Sequence, residues 1–296
     1  MDTLKSLKIK EWRLIMMKKR NVMILFSATA ALTLAACGSK EQSSSTSSTS
    51  GTTKYASEVT HDGTPIKGGT LKYAIVSSSP FSGIFADELS SDTNDSSIGG
   101  LIDESMFDYD ENRKLTNTGL ASIEFDVENK TATVTLNSKD YKWSDGQPVT
   151  IDDYIFAYQA IGNKDYTGVR YDDDYKNVVG MEEYHDGKAD SVSGLEKVDD
   201  YTVKIHFKEM SPSMQLAGGS VCAYIMPKHI FKDIPEAEWE KSDYVRGTKF
   251  VGLGQFKIES IVAGESVTLV PNEHYFRGVA KVDKVVMEVV YPDNIV

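Results

Sequence analysis

The sequence predicts an α/β fold of α+β character, built around a mixed sheet. Three observations carry that expectation. Period-two alternation of apolar and polar residues recurs along the chain, which marks strands. Helical spacing is confined to two stretches, and these do not interleave with the strands in the order of a doubly wound parallel sheet. No internal repeat divides the chain.

The first expected strand is "GGTLKYAIV", Gly68 to Val76, where Leu71, Tyr73 and Ile75 alternate with polar or small residues before the turn-rich "SSSPFSG". From Ile98 to Phe107, "IGGLIDESMF" has helical spacing at Ile98, Leu101, Ile102 and Ser105. "IEFDVENKTATVTLN" predicts a hairpin. Ile123, Phe125 and Val127 alternate before its Glu-Asn-Lys turn, Ala132, Val134 and Leu136 after it, and Thr131, Thr133 and Thr135 form a β-branched outer face.

"WSDGQPVTIDDYIFAYQAI" runs from Trp143 to Ile161. Asp145-Gly146 signals a turn, Pro148 holds the chain extended, and Thr150 with Asp153 has capping-box spacing. Tyr154, Ile155, Tyr158 and Ile161 fall on one face of the helix that follows. Residues Asn163 to Asp190 are polar, acidic and rich in tyrosine, and predict a long surface excursion. Strands resume at "YTVKIHF", with Tyr201, Val203, Ile205 and Phe207 alternating, and continue through "GQFKIESI", "ESVTLVP" and "VDKVVMEVVYP".

Ahead of these elements, "MMKKRN" (Met16 to Asn21) and the uncharged "VMILFSATAALTLAA" (Val22 to Ala36) have the layout of a secretory signal. The apolar run is short of the about 20 residues that span a membrane. Residues Met1 to Ile15 fit no part of a signal, so an overcalled start codon is expected, with initiation at Met16 or Met17. "LAAC", Leu34 to Cys37, resembles the lipobox of bacterial lipoproteins, whose cysteine thiol receives a diacylglyceryl group. One acyl chain binds a membrane marginally and two anchor stably, at ~0.8 kcal/mol per buried methylene. Cys37 is therefore expected to hold the protein by lipid at the extracellular face of the cytoplasmic membrane. The Ser/Thr tract from Ser43 to Thr53 has nothing to bury and reads as a flexible tether, spanning residues 37–65 with the lipidated cysteine. A short uncleaved anchor helix is the alternative.

The chain carries a net charge of −12, and beyond Ala36 25 basic residues face 42 acidic ones. Such a surface repels polyphosphate, which excludes nucleic acid as an expected partner. If Cys37 carries lipid, Cys222 in "GGSVCAYIMPKH" has no disulfide partner, and its apolar neighbours mark it as a small core residue.

Catalytic patterns are scarce. The sequence has no G-x-S-x-G elbow, no H-E-x-x-H and no phosphate-cradling G-x-x-x-x-G-K-[ST]. His61, His185, His206, His229 and His274 are scattered, so no metal is expected. "DYDENRKLTNTG" matches a calcium loop at Asp108, Asp110 and Asn112, yet has Arg113 where glycine and Gly119 where glutamate is needed. It reads as a hydrophilic connection. Asp172 to Asp174 read as a solvated run. The 15 tyrosines, among them Tyr166, Tyr171, Tyr175, Tyr184 and Tyr224, suit binding surfaces and half-buried strands alike. Binding, and not catalysis, is the expectation.

Three stretches together resemble one family. "WSDGQPVTIDDYIFAYQAI" is similar to the W-x-D-G-x-P-x-T-x-x-D-[VF] segment of extracellular solute-binding proteins of the oligopeptide, dipeptide and nickel class. "GLEKVDDYTVKIHFKEMSP" with "YIMPKHIF" resembles that family's next strand and its Pro-Lys-His helix start. "VGLGQFKIESIVAGESVTLVPNEHYFRGVAKVDKVVMEVV" is similar to its late G-x-G strand pair and N-x-x-Y turn. With the lipobox, the nearest type resembles the lipid-anchored oligopeptide-binding proteins of Gram-positive bacteria. The resemblance implies a type II periplasmic-binding-protein-like fold whose two lobes close on an extended peptide and present it to an ABC permease. It implies a monomer with no cofactor beyond the diacylglyceryl lipid on Cys37.

The resemblance assigns positions as well. Trp143, Asp145, Gly146, Pro148, Thr150 and Asp153 form a structural corner. Asp87, Glu88, Leu89, Ser90, Ser91 and Asp92, then Cys222, Ala223 and Tyr224, then Gly252, Leu253 and Gly254, are expected to face the peptide cleft. Residues 66–90 and 193–290 are expected to form a discontinuous first lobe, with 91–192 inserted. The sequence reaches "VVYPDNIV" about where the family's second lobe begins, so a truncated form with impaired peptide binding is expected. A surface sensor of peptides or pheromones, or an adhesin not coupled to a permease, is the alternative within binding proteins. A cell-surface hydrolase or a nickel binder of the same fold has no residue here to nominate it.

Overall fold

The structure is a computed structural model that describes residue 64, residues 66–216 and residues 221–294. The signal segment, Cys37 and the Ser/Thr tether lie outside the described residues.

Strand β1 (Thr70–Val76) leads through a serine-rich loop to helix α1 (Thr93–Ile102). A minimal pair, β2 (Asp108–Tyr109) and β3 (Leu115–Thr116), precedes the hairpin β4 (Ala121–Asp126) and β5 (Thr131–Leu136). Helix α2 (Ile151–Gly162) follows, then two short helices, α3 (Asp173–Lys176) and α4 (Met181–His185). Strands β6 (Leu195–Asp199) and β7 (Thr202–His206) come next, and single turns α5 (Lys228–Phe231) and α6 (Asp243–Arg246) lead to β8 (Phe256–Val262), β9 (Ser266–Pro271) and β10 (Lys284–Val290).

Two four-stranded sheets organise these elements. One has the order β1-β10-β9-β8, with β1 parallel to β10 and the other pairs antiparallel. The other, β4-β5-β7-β6, is antiparallel throughout. The first sheet is thus mixed, as the sequence predicts. In the hairpin Ile123 lies opposite Val134 and Phe125 opposite Ala132, so the alternating set shares one face. Val127 falls beyond β4 in the turn and is exposed.

Each sheet carries its own apolar cluster. Ile98 and Ile102 of α1 pack with Phe81, Phe85, Ile75, Val267, Leu269, Val285 and Met287 over the mixed sheet. Tyr154, Ala157, Tyr158 and Ile161 of α2 join Val134, Val203 and Ile205 of the antiparallel sheet. Burying one such aliphatic side chain contributes about 1.5–3 kcal/mol, so these faces fix the helices in place.

Several expectations change. Helix α1 begins at Thr93, not Ile98, because the Asp92 carboxylate accepts the Asn94 and Asp95 N–H groups and caps it. It ends at Ile102, where Asp103 turns extended, so Ser105 and Phe107 are not helical. The polar stretch 163–190 folds into α3 and α4 and buries Tyr175, Val178 and Met181 instead of running over the surface. On β1 only Ile75 is covered by α1. Leu71 and Tyr73 stay about half exposed, at 53% and 54%, beside an apolar groove of about 920 Å³ floored by Val285 and Met287. Strands β6 and β7, expected in one lobe with residues 66–90, hydrogen-bond to β5, and α1 packs with the β1 sheet. Strand pairing thus joins β5 of the expected insert to β7 of the expected lobe, and helix packing joins α1 to the β1 sheet; the described residues from 64 to 294 fall in one compact unit.

Candidate ligand-binding wall

The tryptophan corner is scaffold. Gly146 takes φ +87°, where a side chain would be strained, and its N–H bonds to the Trp143 carbonyl at 2.8 Å. Asp145 accepts the Gln147 N–H and pairs with His229 at 2.9 Å. Pro148 bridges to Lys142 and leads to Thr150 at the α2 N-terminus. The buried Asp153 carboxylate accepts three donors: Thr150 N–H at 2.9 Å, Lys228 N–H at 3.0 Å and Trp143 Nε1–H at 3.4 Å. It thereby ties the corner, α2 and α5 together. Burial pushes its pKa upward, and those three donors oppose the shift.

The glycine turn at 252–254 is held against the end of α1. A Cβ on Gly254 would meet the Ile102 carbonyl carbon at 2.3 Å and Asp103 N at 2.4 Å, so only glycine fits. Its polar backbone is committed inward. Gly252 exchanges hydrogen bonds with Ser144, Leu253 N–H reaches Asp103 Oδ1, and Gly254 bonds to Ile102 and Asn272. Leu253 is buried. An added peptide strand finds little to pair with here.

The other two segments meet. Asp87 and Glu88 line one pocket with Ala223 and Tyr224, completed by Phe85, Gly99, Gly100, Asp103, Glu104 and Ser105. Ala223 carbonyl accepts Met106 N–H at 2.8 Å and Ser105 Oγ–H at 3.3 Å, which stitches segment 222–224 to the chain after α1. Arg170 donates to the Asp87 and Ser90 carbonyls, both at 2.9 Å, and lies over the Tyr224 ring. The Tyr166 hydroxyl bonds to the Glu88 carbonyl. Cys222 is buried, with its N–H and carbonyl held by the Tyr158 and Tyr154 hydroxyls, and its thiol is pushed up to about 12 by burial. Leu89 is buried, Asp92 is committed to the α1 cap, and Ser90 orients the Asp92 N–H. Ser91 is exposed at the start of that cap.

The pocket is acidic and partly dry. Glu88 is pushed up to about 8, first by burial and next by the neighbouring Asp103 charge. Asp103 is pushed up to about 7 by burial, against the pull of the Leu253 and Glu104 N–H groups. Glu104 is raised by burial while the Tyr275 hydroxyl donates to it at 2.7 Å. Sequence reasoning did not single out Asp103, Glu104 or Arg170. The acidic dipeptide directly after a Gly-Gly helix segment was the one local signal for the first two, and Arg170 had none. The stretch with the partial calcium-loop match, expected to be a hydrophilic connection, is a small hairpin in which Asp108 pairs with Arg277 at 2.9 Å and Arg113 takes φ +62°.

Known proteins give this wall a family. Residues 117–296 match the model described as bacterial extracellular solute-binding proteins, family 5 Middle. The oligopeptide-binding protein OppA of Lactococcus lactis subsp. lactis is 36% identical over 282 residues, covering 93% of this chain and 47% of the relative. AppA of Bacillus subtilis, also an oligopeptide-binding protein, is 30% identical over 155 residues, or 52% of this chain and 25% of that one. In structure, lactococcal OppA complexed with an endogenous peptide in the closed conformation matches with a TM-score of 0.72 over 77% of this chain and 43% of its own, at 36% identity. Bacillus subtilis AppA in complex with a nonapeptide matches with a TM-score of 0.61 at 26% identity, over 77% of this chain and 41% of its own. The chain spans about half the length of the curated OppA relatives it matches. Its fold is the type II periplasmic-binding-protein-like arrangement, and its family binds substrates outside the cytoplasm. The chain belongs to family 5 of the bacterial extracellular solute-binding proteins.

Proposed function

We propose that this protein captures oligopeptides for an ABC importer, anchored by a diacylglyceryl group on Cys37 at the extracellular face of the cytoplasmic membrane. The observation that carries the reading is the meeting of Asp87–Glu88 with Ala223–Tyr224 in one pocket, on a chain whose family binds solutes. A peptide lying along this wall takes main-chain hydrogen bonds from it, each netting only ~0.5–1.5 kcal/mol. Residues 37–296 by themselves are therefore expected to bind a short peptide more weakly than micromolar. The protein works as a monomer and hands its cargo to permease subunits.

Two measurements test this. Cells fed an alkyne fatty acid should label the protein, and Cys37→Ser should abolish the label and release the protein to the medium; a labelled Cys37→Ser variant refutes the anchor. Calorimetry of Cys37–Val296 with short peptides should give heats of millimolar-range binding. Turnover of peptide, abolished by one carboxylate substitution, would replace a receptor with a hydrolase.

A further inference from the structure

The pocket beside Tyr224 has a chemistry that main-chain pairing does not use. Its cavity, about 240 Å³, is lined by four carboxylates, Asp87, Glu88, Asp103 and Glu104. Glu88 is 4% exposed, yet among the described residues nothing but its own backbone N–H donates to its carboxylate. Burying a carboxylate with a single intraresidue donor is costly, so such groups are found fully paired or neutral. The nearby cation, Arg170, acts on Glu88 through its charge, which pulls the Glu88 pKa down, but its N–H groups are turned to the Asp87 and Ser90 carbonyls and none donates to the carboxylate. Asp103 commits Oδ1 to the Leu253 and Glu104 N–H groups. Among the described residues no three of these side chains converge as metal ligands, so a bare metal ion is a poor occupant. Gly99 and Gly100 leave the helix side of the pocket without side chains, and the Tyr224 ring forms another part of its lining.

We propose that this pocket is a subsite for a cationic group of the bound peptide, an ammonium or guanidinium, received by Glu88 and Asp103 beside Tyr224. The inference rests on the peptide-binding reading above. Burial supports it, because the pair holds its protons toward neutral pH and an entering cation favours their release. The groups around Glu88 are Asp87 from its own loop, Asp103 and Glu104 after α1, Arg170 and Tyr166 from the segment after α2, and the Cys222 thiol and Tyr224 from segment 222–224.

The test is a nuclear magnetic resonance titration of the isotope-labelled full chain in detergent, read at the Ser105 and Tyr224 amides. The probes are methylguanidinium, acetyl-pentaalanine amide, pentaalanine amide with a free terminal ammonium, and an acetylated pentapeptide amide with a central arginine. At least one cationic peptide should bind about tenfold tighter than the neutral one, the size of one charge-assisted hydrogen bond. Comparing the two cationic peptides assigns the subsite to the terminal ammonium or to a basic side chain. Glu88→Gln with Asp103→Asn should bring the cationic peptides down to the affinity of the neutral one, and a preference that survives in this variant overturns the subsite; both replacements keep an acceptor oxygen and copy the neutral acids, so the fold is retained. Equal affinities for all three peptides overturn the subsite and leave the peptide reading standing. If no peptide perturbs these or any other amides, the peptide reading fails and the proposal with it, even where methylguanidinium binds.

Discussion

Asp153 carries the tryptophan corner, and removing its carboxylate tests that reasoning most directly. Asp153→Ala strands three donors, Thr150 N–H, Lys228 N–H and Trp143 Nε1–H, of which the first two sit at 2.9 and 3.0 Å. Hydrogen bonds to a charged acceptor net about 1.5–3 kcal/mol each, so the two short bonds together are worth about 3–6 kcal/mol. Part of this is offset, because the buried carboxylate is itself disfavoured, as its raised pKa records. A net loss of about 3 kcal/mol remains, which at a urea slope of about 3 kcal/mol per molar lowers the midpoint by about 1 M. Asp153→Asn keeps one acceptor oxygen but turns an amide N–H₂ toward a donor, and should lose about two-thirds as much. The assay is urea unfolding followed by tryptophan fluorescence and circular dichroism. A midpoint for Asp153→Ala within about 0.3 M of the native chain at unchanged slope refutes the argument, since that is under 1 kcal/mol.

Other consequences are as specific. Gly254→Ala forces a Cβ into the Ile102–Asp103 backbone and should cost at least about 1–3 kcal/mol, whereas Gly100→Ala meets nothing within 4 Å and should stabilise α1 by about 0.5–1 kcal/mol; thermal melts that rank the two alike refute the packing. Glu88 and Asp103 bind protons more tightly folded than unfolded, so their contribution to stability is fully present below about pH 4 and is lost as pH rises through 7 to 8. Glu88→Gln should therefore gain a few kcal/mol over the native chain at pH 8 and nothing at pH 4, measured by urea midpoints; a gain independent of pH contradicts the assignment. The Cys222 thiol, buried and pushed up to about 12, should resist iodoacetamide at pH 8 in the folded chain and alkylate fully in urea, as site-resolved mass spectrometry will show.

What the sequence made legible was local. The hairpin at 121–136 and helix α2 were readable because their periods are long enough to count and their turn residues are diagnostic. Helix α1 was misplaced at its start because Asp92 sits in a polar run, where a cap has no apolar period beside it. Helices α3 and α4 span four and five residues, too few for any period, and their buried tyrosine and methionine are packing facts. Alternation on β1 named the inward face of Leu71 and Tyr73 but could not say what covers it. The acidic pocket was half legible: the resemblance placed Asp87 and Glu88, while Arg170, whose guanidinium lies 80 residues from the Ser90 carbonyl it holds, had no signal.

The glycine turn separates what a motif says from what a fold decides. Gly252 and Gly254 announce that another backbone must come close, and the sequence supports that much. Two backbones were available to fill that role, a bound peptide or the chain itself. The structure puts Ile102 and Asp103 there, and Leu253 reaches across 150 residues to Asp103. Every N–H of the turn is then spent internally, so replacing Gly254 should be felt in stability before it is felt in ligand affinity. The turn nonetheless bears on the pocket, because Asp103 Oδ1 is held by Leu253 N–H. A strained turn would loosen one carboxylate of the cation subsite without touching the peptide. The loss of preference for a cationic peptide should therefore accompany the loss of stability in Gly254→Ala, and be absent from Asp153→Ala, whose contacts lie at the corner.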